Sequence, residues 1–338
     1  MAAVLLAGLA ACDRDTEHVT HELNGNTMGT TFSVLLVAPP VSVSLDSLQS
    51  EITATLERIE DIASTYRETS ELSKFNAHSS TDWIDASAEF CDLIYQALSV
   101  SRETAGAFDI TVGALVNLWG FGPDPAVDKP PSPEQIDFAL QHVGYRGLQT
   151  DCAQPAIRKS AAMMYVDLSA WAKGYAVDQL AGLLDLNGLE NYLIEIGGEL
   201  RARGYNAEER KFAIALETPV PEHSNEYSII RLSDAGVATS GDYRNYFESD
   251  GQRYSHTIDP RSGRPISHEL ASVTVVNDST AYADAMATAL LVLGPADGLA
   301  LAEDLGIAAF FSIRTNLGIE TFSSSAYSAG NFANHARM

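Results

Sequence analysis

The chain has 338 residues, 46% hydrophobic and 20% charged, enough apolar material for one large domain or two joined lobes and too much for a disordered chain. The 21 Lys and Arg residues against 45 Asp and Glu give a formal charge of −24, which argues against nucleic acid as a partner, because phosphate contacts need clustered cations. An anionic dinucleotide fits such a chain only where metal, helix N-termini and a few Lys or Arg hold it locally; the plainer reading of the acidity is solubility.

Met1–Ala11 is almost wholly apolar, too short to span a bilayer and the right length for a signal-peptide core. It runs into Leu9-Ala10-Ala11-Cys12 and then the polar Asp13-Arg14-Asp15, the pattern of a bacterial lipobox with cleavage before a lipid-bearing Cys12. Residues 1–12 are therefore expected to be a lipoprotein signal, 13–22 a tether and 23–338 a single domain. Asp13 directly after the cysteine resembles the signal that retains lipoproteins on the inner membrane, facing the periplasm.

Met28–Val37 is rich in β-branched and apolar residues and stops at Pro39-Pro40, which predicts a strand. Leu48, Ile52, Leu56, Ile59, Ile62 and Ala63 recur at helical spacing and predict a helix from Leu48 to Tyr66. Phe90, Leu93, Ile94, Ala97 and Leu98 mark a second helix closed by Gly106, and a Pro-rich loop follows at 123–133. Tyr165–Leu168 reads as a short strand entering a helix near Ala170. Tyr192–Ile196, Gly197-Gly198 and Glu199–Arg203 read as a hairpin. Strands are expected at Phe212–Leu216, Tyr227–Leu232, Gly236–Ser240 and Ser272–Val276, helices at Thr280–Val292 and Ala296–Leu305, and a last hairpin at Ala308–Ile313 and Ile319–Ser323. Strands and helices mix without βα alternation, so the fold class is α+β. Cys91 and Cys152 leave pairing and separate burial both open, and Cys91 on its amphipathic stretch reads more simply as a small buried apolar residue.

Three segments can carry chemistry. Asp284 and Thr288 lie four apart on a predicted helix, so a carboxylate and a hydroxyl face the same way, a donor pair suited to Mg²⁺. Alone, Asp284 reads more readily as a cap of the helix N-terminus after Thr280. In Asp167-Leu168-Ser169-Ala170-Trp171-Ala172-Lys173, a helix N-terminus offers free N–H groups, and Lys173 in the first turn suits an anion. The plainer reading is that Ser169 caps the helix and Lys173 is solvated. The turn around Pro260 and Gly263 gathers His256, Asp259 and Arg261, an acid–base pair with a phosphate clamp or simply a polar turn.

Taken in order, these segments join Met28-Gly29-Thr30, Ser64-Thr65-Tyr66, Ser70-Glu71-Leu72-Ser73-Lys74-Phe75-Asn76, Gly106-Ala107-Phe108-Asp109, Glu195-Ile196-Gly197-Gly198, Ser240-Gly241-Asp242-Tyr243 and His256-Thr257-Ile258-Asp259-Pro260. The set resembles the ApbE-type FAD:protein FMN transferases from about Met28 to about Ser323. The resemblance implies an ApbE-like, T-fold-like arrangement of mixed sheets and packed helices in two closely joined lobes. It implies Mg²⁺-dependent transfer of FMN from FAD to a Thr or Ser hydroxyl, with release of AMP. FAD would be held by Met28, Tyr66, Ala107, Phe108, Asp109, Asp167, Lys173 and Ile258. Mg²⁺ would be held by Asp284, Thr288 and the carbonyls of Ala170 and Ala287; some members carry Thr and Asp at those last two positions, whereas here only backbone oxygen is available. His256 would deprotonate the incoming hydroxyl, with Asp284 the other catalytic residue. The implied acceptor is a membrane redox subunit with a motif like Asp-Gly-x-Thr-Gly-Ala-Ser/Thr, in keeping with a lipid anchor at Cys12. A FAD pyrophosphatase and a non-catalytic FAD-binding lipoprotein are the alternatives; within the family, Tyr at the position of Tyr66 goes with transfer and Asn with hydrolysis.

Overall fold

The computed structural model describes residues 18–123, 129–217, 227–243, 245–330 and 332–334. The signal segment 1–12 with Cys12, and part of the Pro-rich loop, lie outside the described residues. β1 (Thr20–Thr27) and β2 (Thr30–Val37) form a hairpin whose turn is Met28-Gly29, both left-handed at φ 49° and 72°. β1 thus takes in residues 20–22, read from sequence as the end of a tether. Its Thr-His-Glu-Leu-Asn-Gly-Asn-Thr run carries a single Leu, and pairing with β2 supplies what its own pattern lacks.

α1 (Leu45–Ala63) starts at Ser44, whose hydroxyl accepts the Ser47 N–H, and buries the six residues whose spacing predicted it. α2 (Glu71–Ala77), capped by Ser70, precedes β3 (Ile84–Asp85) and α3 (Ala88–Glu103). α4 (Gly113–Leu118) and α5 (Pro133–Leu140) follow, the latter entered through a Ser132/Gln135 capping box with Pro133 in its first turn. β4 (Leu148–Asp151) and β5 (Ala156–Lys159) complete a small sheet in the order β3-β5-β4. Cys91 on α3 is joined to Cys152 just after β4, with their Cα atoms 5.7 Å apart, so the sequence question about these cysteines resolves as a disulfide.

Tyr165–Leu168 is extended but is not a strand of any sheet. Tyr165 makes one parallel bridge to Val112, and the Val166 N–H and C=O both bond the Asn76 side chain at 2.8 Å, which occupies the place a neighbouring strand would take. α6 (Ala172–Leu186) begins after Trp171, two residues later than expected. β6 (Tyr192–Ile196) and β7 (Glu199–Arg203) are the predicted hairpin.

The rest is β8 (Phe212–Glu217), β9 (Tyr227–Leu232), β10 (Ala235–Gly241), β11 (Tyr246–Ser249), β12 (Gln252–Ser255), β13 (Ile258–Asp259), β14 (Arg264–Pro265), β15 (Leu270–Asn277), α7 (Thr280–Leu305), β16 (Ala308–Thr315), β17 (Gly318–Ser323), α8 (Ser325–Ala329) and β18 (Ala333–Asn334). Eight strands form one antiparallel sheet in the order β1-β2-β6-β7-β10-β15-β16-β17. α7 packs on β10 and β15, α6 on α7, and α1 on α6, which together bury the main core. A smaller sheet, β18-β9-β8, shares a second core with Val37, Ala202, Val237 and Val276. Leu270–Val276 of β15 is buried throughout, as a strand covered on both faces must be. A third cluster gathers Trp119, Leu115, Ile136 and Ile258, and the Trp119 indole N–H donates to the Gly263 carbonyl at 2.9 Å. The mixed architecture is the α+β class expected.

Candidate active site

The site begins where α6 crosses α7. A Cβ at Gly174 would lie 2.5 Å from the Thr280 carbonyl oxygen and 2.7 Å from Ala281 Cα, so only glycine lets the two backbones approach this closely. That approach sets Asp284 on α7 against the first turn of α6, where the Gly174 N–H faces its Oδ2 at 3.4 Å. Asp284 is 4% exposed, and burial raises its pKa above the ordinary carboxylate value, with Lys173 opposing. One turn on, the Thr288 hydroxyl meets the Ser240 hydroxyl of β10 at 2.8 Å.

The opposite wall comes from the β6–β7 turn. Glu199, 3% exposed, places its Oε2 2.5 Å from the Lys173 ammonium. Burial and the Asp284 charge outweigh Lys173 and push its pKa up to about 8. Lys173 therefore serves two acids, which is why the plainer reading of it as a solvated lysine fails. Sequence reasoning passed over Glu199 because a Glu opening a hairpin strand reads as solvent-facing; the one signal was its place directly after Gly197-Gly198.

Between these walls lies a cavity of about 380 Å³. Ala107, Phe108, Asp109, Asp167, Ala170, Lys173, His256, Ile258, Asp284 and Thr288, all singled out from the sequence, line it. Val112, Val116 and Phe121 add an apolar flank. Asp109 is committed locally: its Oδ1 accepts the Thr111 N–H and hydroxyl at 2.8 and 2.7 Å, and its Oδ2 the Tyr145 N–H at 2.8 Å. Burial still raises its pKa. Asp167 Oδ1 accepts the Ser169 N–H at 2.7 Å, and Ser169 does not cap α6, which has no side-chain cap.

His256 Nδ1 lies 2.9 Å from the Asn245 carbonyl oxygen. A carbonyl only accepts, so Nδ1 carries the proton and Nε2 keeps its lone pair. Burial lowers the His256 pKa, so the ring is neutral at neutral pH. Asp259 does not join it. Both Asp259 oxygens bind Arg261 at 2.9 and 3.0 Å, and neither residue lines the cavity, so the expected His–Asp–Arg cluster does not form.

Met28, Tyr66 and Ala287 stand outside the lining. Ala287 is fully buried within α7. Met28 and the Tyr66 loop share a bracket: Glu60 accepts the Met28 N–H and the Thr27 hydroxyl on Oε1, each at 2.9 Å, and pairs Arg67 on Oε2 at 2.7 Å. Tyr66 is 68% exposed, and partial burial and the Asp167 charge raise its phenol pKa.

Among the described residues no cluster of three or more His, Cys, Asp or Glu side chains could hold a metal. What the cavity does offer is hard oxygen: the Asp284 carboxylate, with one long hydrogen bond, and the Thr288 hydroxyl. That set fits Mg²⁺, which keeps water and takes substrate phosphate to complete its shell.

The sequence profile of the ApbE family matches residues 28–311. The chain belongs to the ApbE family. A Vibrio cholerae protein named FAD:protein FMN transferase is 41% identical over 97% of this chain and 96% of its own length. A Haemophilus influenzae protein of the same name is 41% identical over 97% and 95%. Among solved structures, the flavin transferase ApbE from Vibrio cholerae superposes with a TM-score of 0.86 at 39% identity, covering 92% of this chain and 99% of that one. The apo flavinyl transferase ApbE of Pseudomonas stutzeri gives 0.86 at 40% identity, covering 94% and 98%. The α+β architecture of this chain is thus that of solved ApbE proteins.

Proposed function

We propose that this chain transfers the FMN half of FAD to a Thr or Ser hydroxyl of an acceptor protein and releases AMP. The observation that carries the reading is the match, over nearly the whole chain, to proteins named FAD:protein FMN transferase. FAD is the substrate. Mg²⁺ held by Asp284 and Thr288 would supply a Lewis acid for the charge that develops on the transferred phosphoryl group. Lys173 and the first turn of α6 attract the diphosphate, while Phe108, Val112, Phe121 and Ile258 offer apolar surface to a ring system.

His256 takes the proton of the acceptor hydroxyl on Nε2, the nitrogen that Asn245 leaves free. The new bond joins that oxygen to the FMN-side phosphorus, the P–O–P anhydride bond breaks, and AMP leaves with the bridging oxygen. Tyr66, in keeping with the family pattern, supports transfer over hydrolysis.

The protein works as a lipid-anchored enzyme on the periplasmic side of the inner membrane, on redox subunits with an Asp-Gly-x-Thr-Gly-Ala-Ser/Thr-like motif. Two features support this placement: the lipobox at Leu9–Cys12, and the Cys91–Cys152 disulfide, a bond that persists in oxidising compartments. With FAD, Mg²⁺ and a peptide of that motif, the protein is expected to yield equal AMP and flavinylated peptide. Free FMN without adduct would make it a FAD pyrophosphatase; bound FAD with no AMP would make it a flavin carrier.

A further inference from the structure

The Lys173–Glu199 contact is poorly accounted for as a stabilising device. Both groups lose water, and a buried ion pair returns little net stability for that loss. Lys173 also sits in the first turn of α6, where the helix dipole disfavours a cation, and its four-carbon stem is inherently mobile. Yet the surroundings leave that stem little room. Gly197, at φ 59°, brings the turn so near that a Cβ there would lie 3.3 Å from Lys173 Cδ and 2.8 Å from Thr30 Cγ2. The turn is itself fixed, since Glu195 Oε1 accepts the Gly198 N–H at 2.6 Å. Glu199 then meets the ammonium from the first residue of β7, at 2.5 Å.

We propose that Glu199 is a positioning residue: from the β6–β7 hairpin it holds the Lys173 ammonium facing the cavity, so that an anionic diphosphate meets the charge in one place. The Glu199 oxygen in this position gives the lysine a fixed direction beside the cavity that both residues line. The substrate in this inference rests on the FMN-transfer reading; the tether itself rests only on the geometry of the hairpin and α6.

Two measurements on the full-length chain test it, each with Glu199→Gln, Lys173→Met and the double variant, and with thermal melts confirming that each folds. The first is a ¹H–¹⁵N spectrum of lysine ammonium groups without flavin or metal. The wild type should give a resonance that Lys173→Met removes and that Glu199→Gln broadens away. A resonance unchanged in Glu199→Gln overturns the proposal. The second is AMP release from FAD. Glu199→Gln should lower kcat about tenfold with FAD affinity changed less than about threefold, and should change kcat less than about twofold in the Lys173→Met background. Equal losses in both backgrounds would give Glu199 a role independent of Lys173, and a more than tenfold rise in half-saturating Mg²⁺ would make it a metal ligand; either overturns the proposal. A wild type that releases no AMP sinks the transferase reading instead, and the ammonium spectrum then decides the tether alone.

Discussion

At position 284 a carboxylate is held 4% exposed with one N–H turned to it, at 3.4 Å. A buried acid so sparsely satisfied costs folding free energy, which marks it as kept for something other than stability. Asp284→Asn, which keeps the shape and removes the charge, is therefore expected to leave the metal-free melting temperature at pH 8 unchanged or higher. A fall of more than a few degrees would mean that Asp284 serves the fold. His256 gives a second expectation. Burial holds its pKa below the ordinary value of 6.5, so the acid limb of transfer activity should lie below pH 6.5, with activity lost as pH falls through the lowered pKa and Nε2 is protonated. A limb above 6.5 would assign it to another group. The Asp284–Thr288 pair was legible because a 3.6-residue period places i and i+4 on one face. Glu199 was not, because its burial comes from a turn folding beneath α6, which strand alternation does not encode. The pairing of Cys91 with Cys152, 61 residues apart, likewise depends on where α3 and β4 come to rest.

At the scale of elements, the site depends on how closely α6 and α7 approach. Gly174→Ala drives a methyl into the Thr280 carbonyl at 2.5 Å, and the helices must part. The expected cost is about 1–3 kcal/mol by denaturant titration, with a loss of Mg²⁺-dependent AMP release larger than the stability loss explains. Full activity in a destabilised Gly174→Ala protein would show that the crossing does not set Asp284. α7 is long and apolar enough to cross a bilayer, but it is broken at Gly294 (φ 82°) before Pro295 and packs on β10 and β15 as a core helix. Sequence reasoning placed two helices on either side of that break, because Gly-Pro punctuates a helical pattern strongly. The β6–β7 hairpin was equally plain. β1, α2, α4 and α5 were not, being short or weakly amphipathic and held by their neighbours and caps. Residues 165–168 had strand composition but lacked a second partner strand.

Over the whole molecule, the buried acids tie stability to pH. The Glu199 pKa in the folded protein, about 8, lies above its unfolded value of 4.5, so the folded state binds the extra proton between these limits. The stability it contributes is complete below pH 4.5 and is lost as pH rises through 8. Asp284, also raised, acts in the same direction. Metal-free protein should therefore lose stability from pH 5 to 8, by at most about 1.4 kcal/mol per pH unit for each proton, and Glu199→Gln should flatten the slope. A slope of the opposite sign, or one unaltered by Glu199→Gln, would place the titration elsewhere. The disulfide closes a loop spanning 61 residues, which restrains the unfolded chain by about 4 kcal/mol in the chain-entropy picture. It also fits the compartment proposed for the enzyme.

The most direct test is intact-mass spectrometry of an acceptor protein after incubation with FAD, Mg²⁺ and either the wild type or Asp284→Ala. The account predicts an acceptor heavier by one FMN phosphoester with the wild type, and an adduct rate lower by about a hundredfold or more with Asp284→Ala despite retained FAD binding. An acceptor left unmodified by the wild type, or modified equally fast by Asp284→Ala, would contradict it.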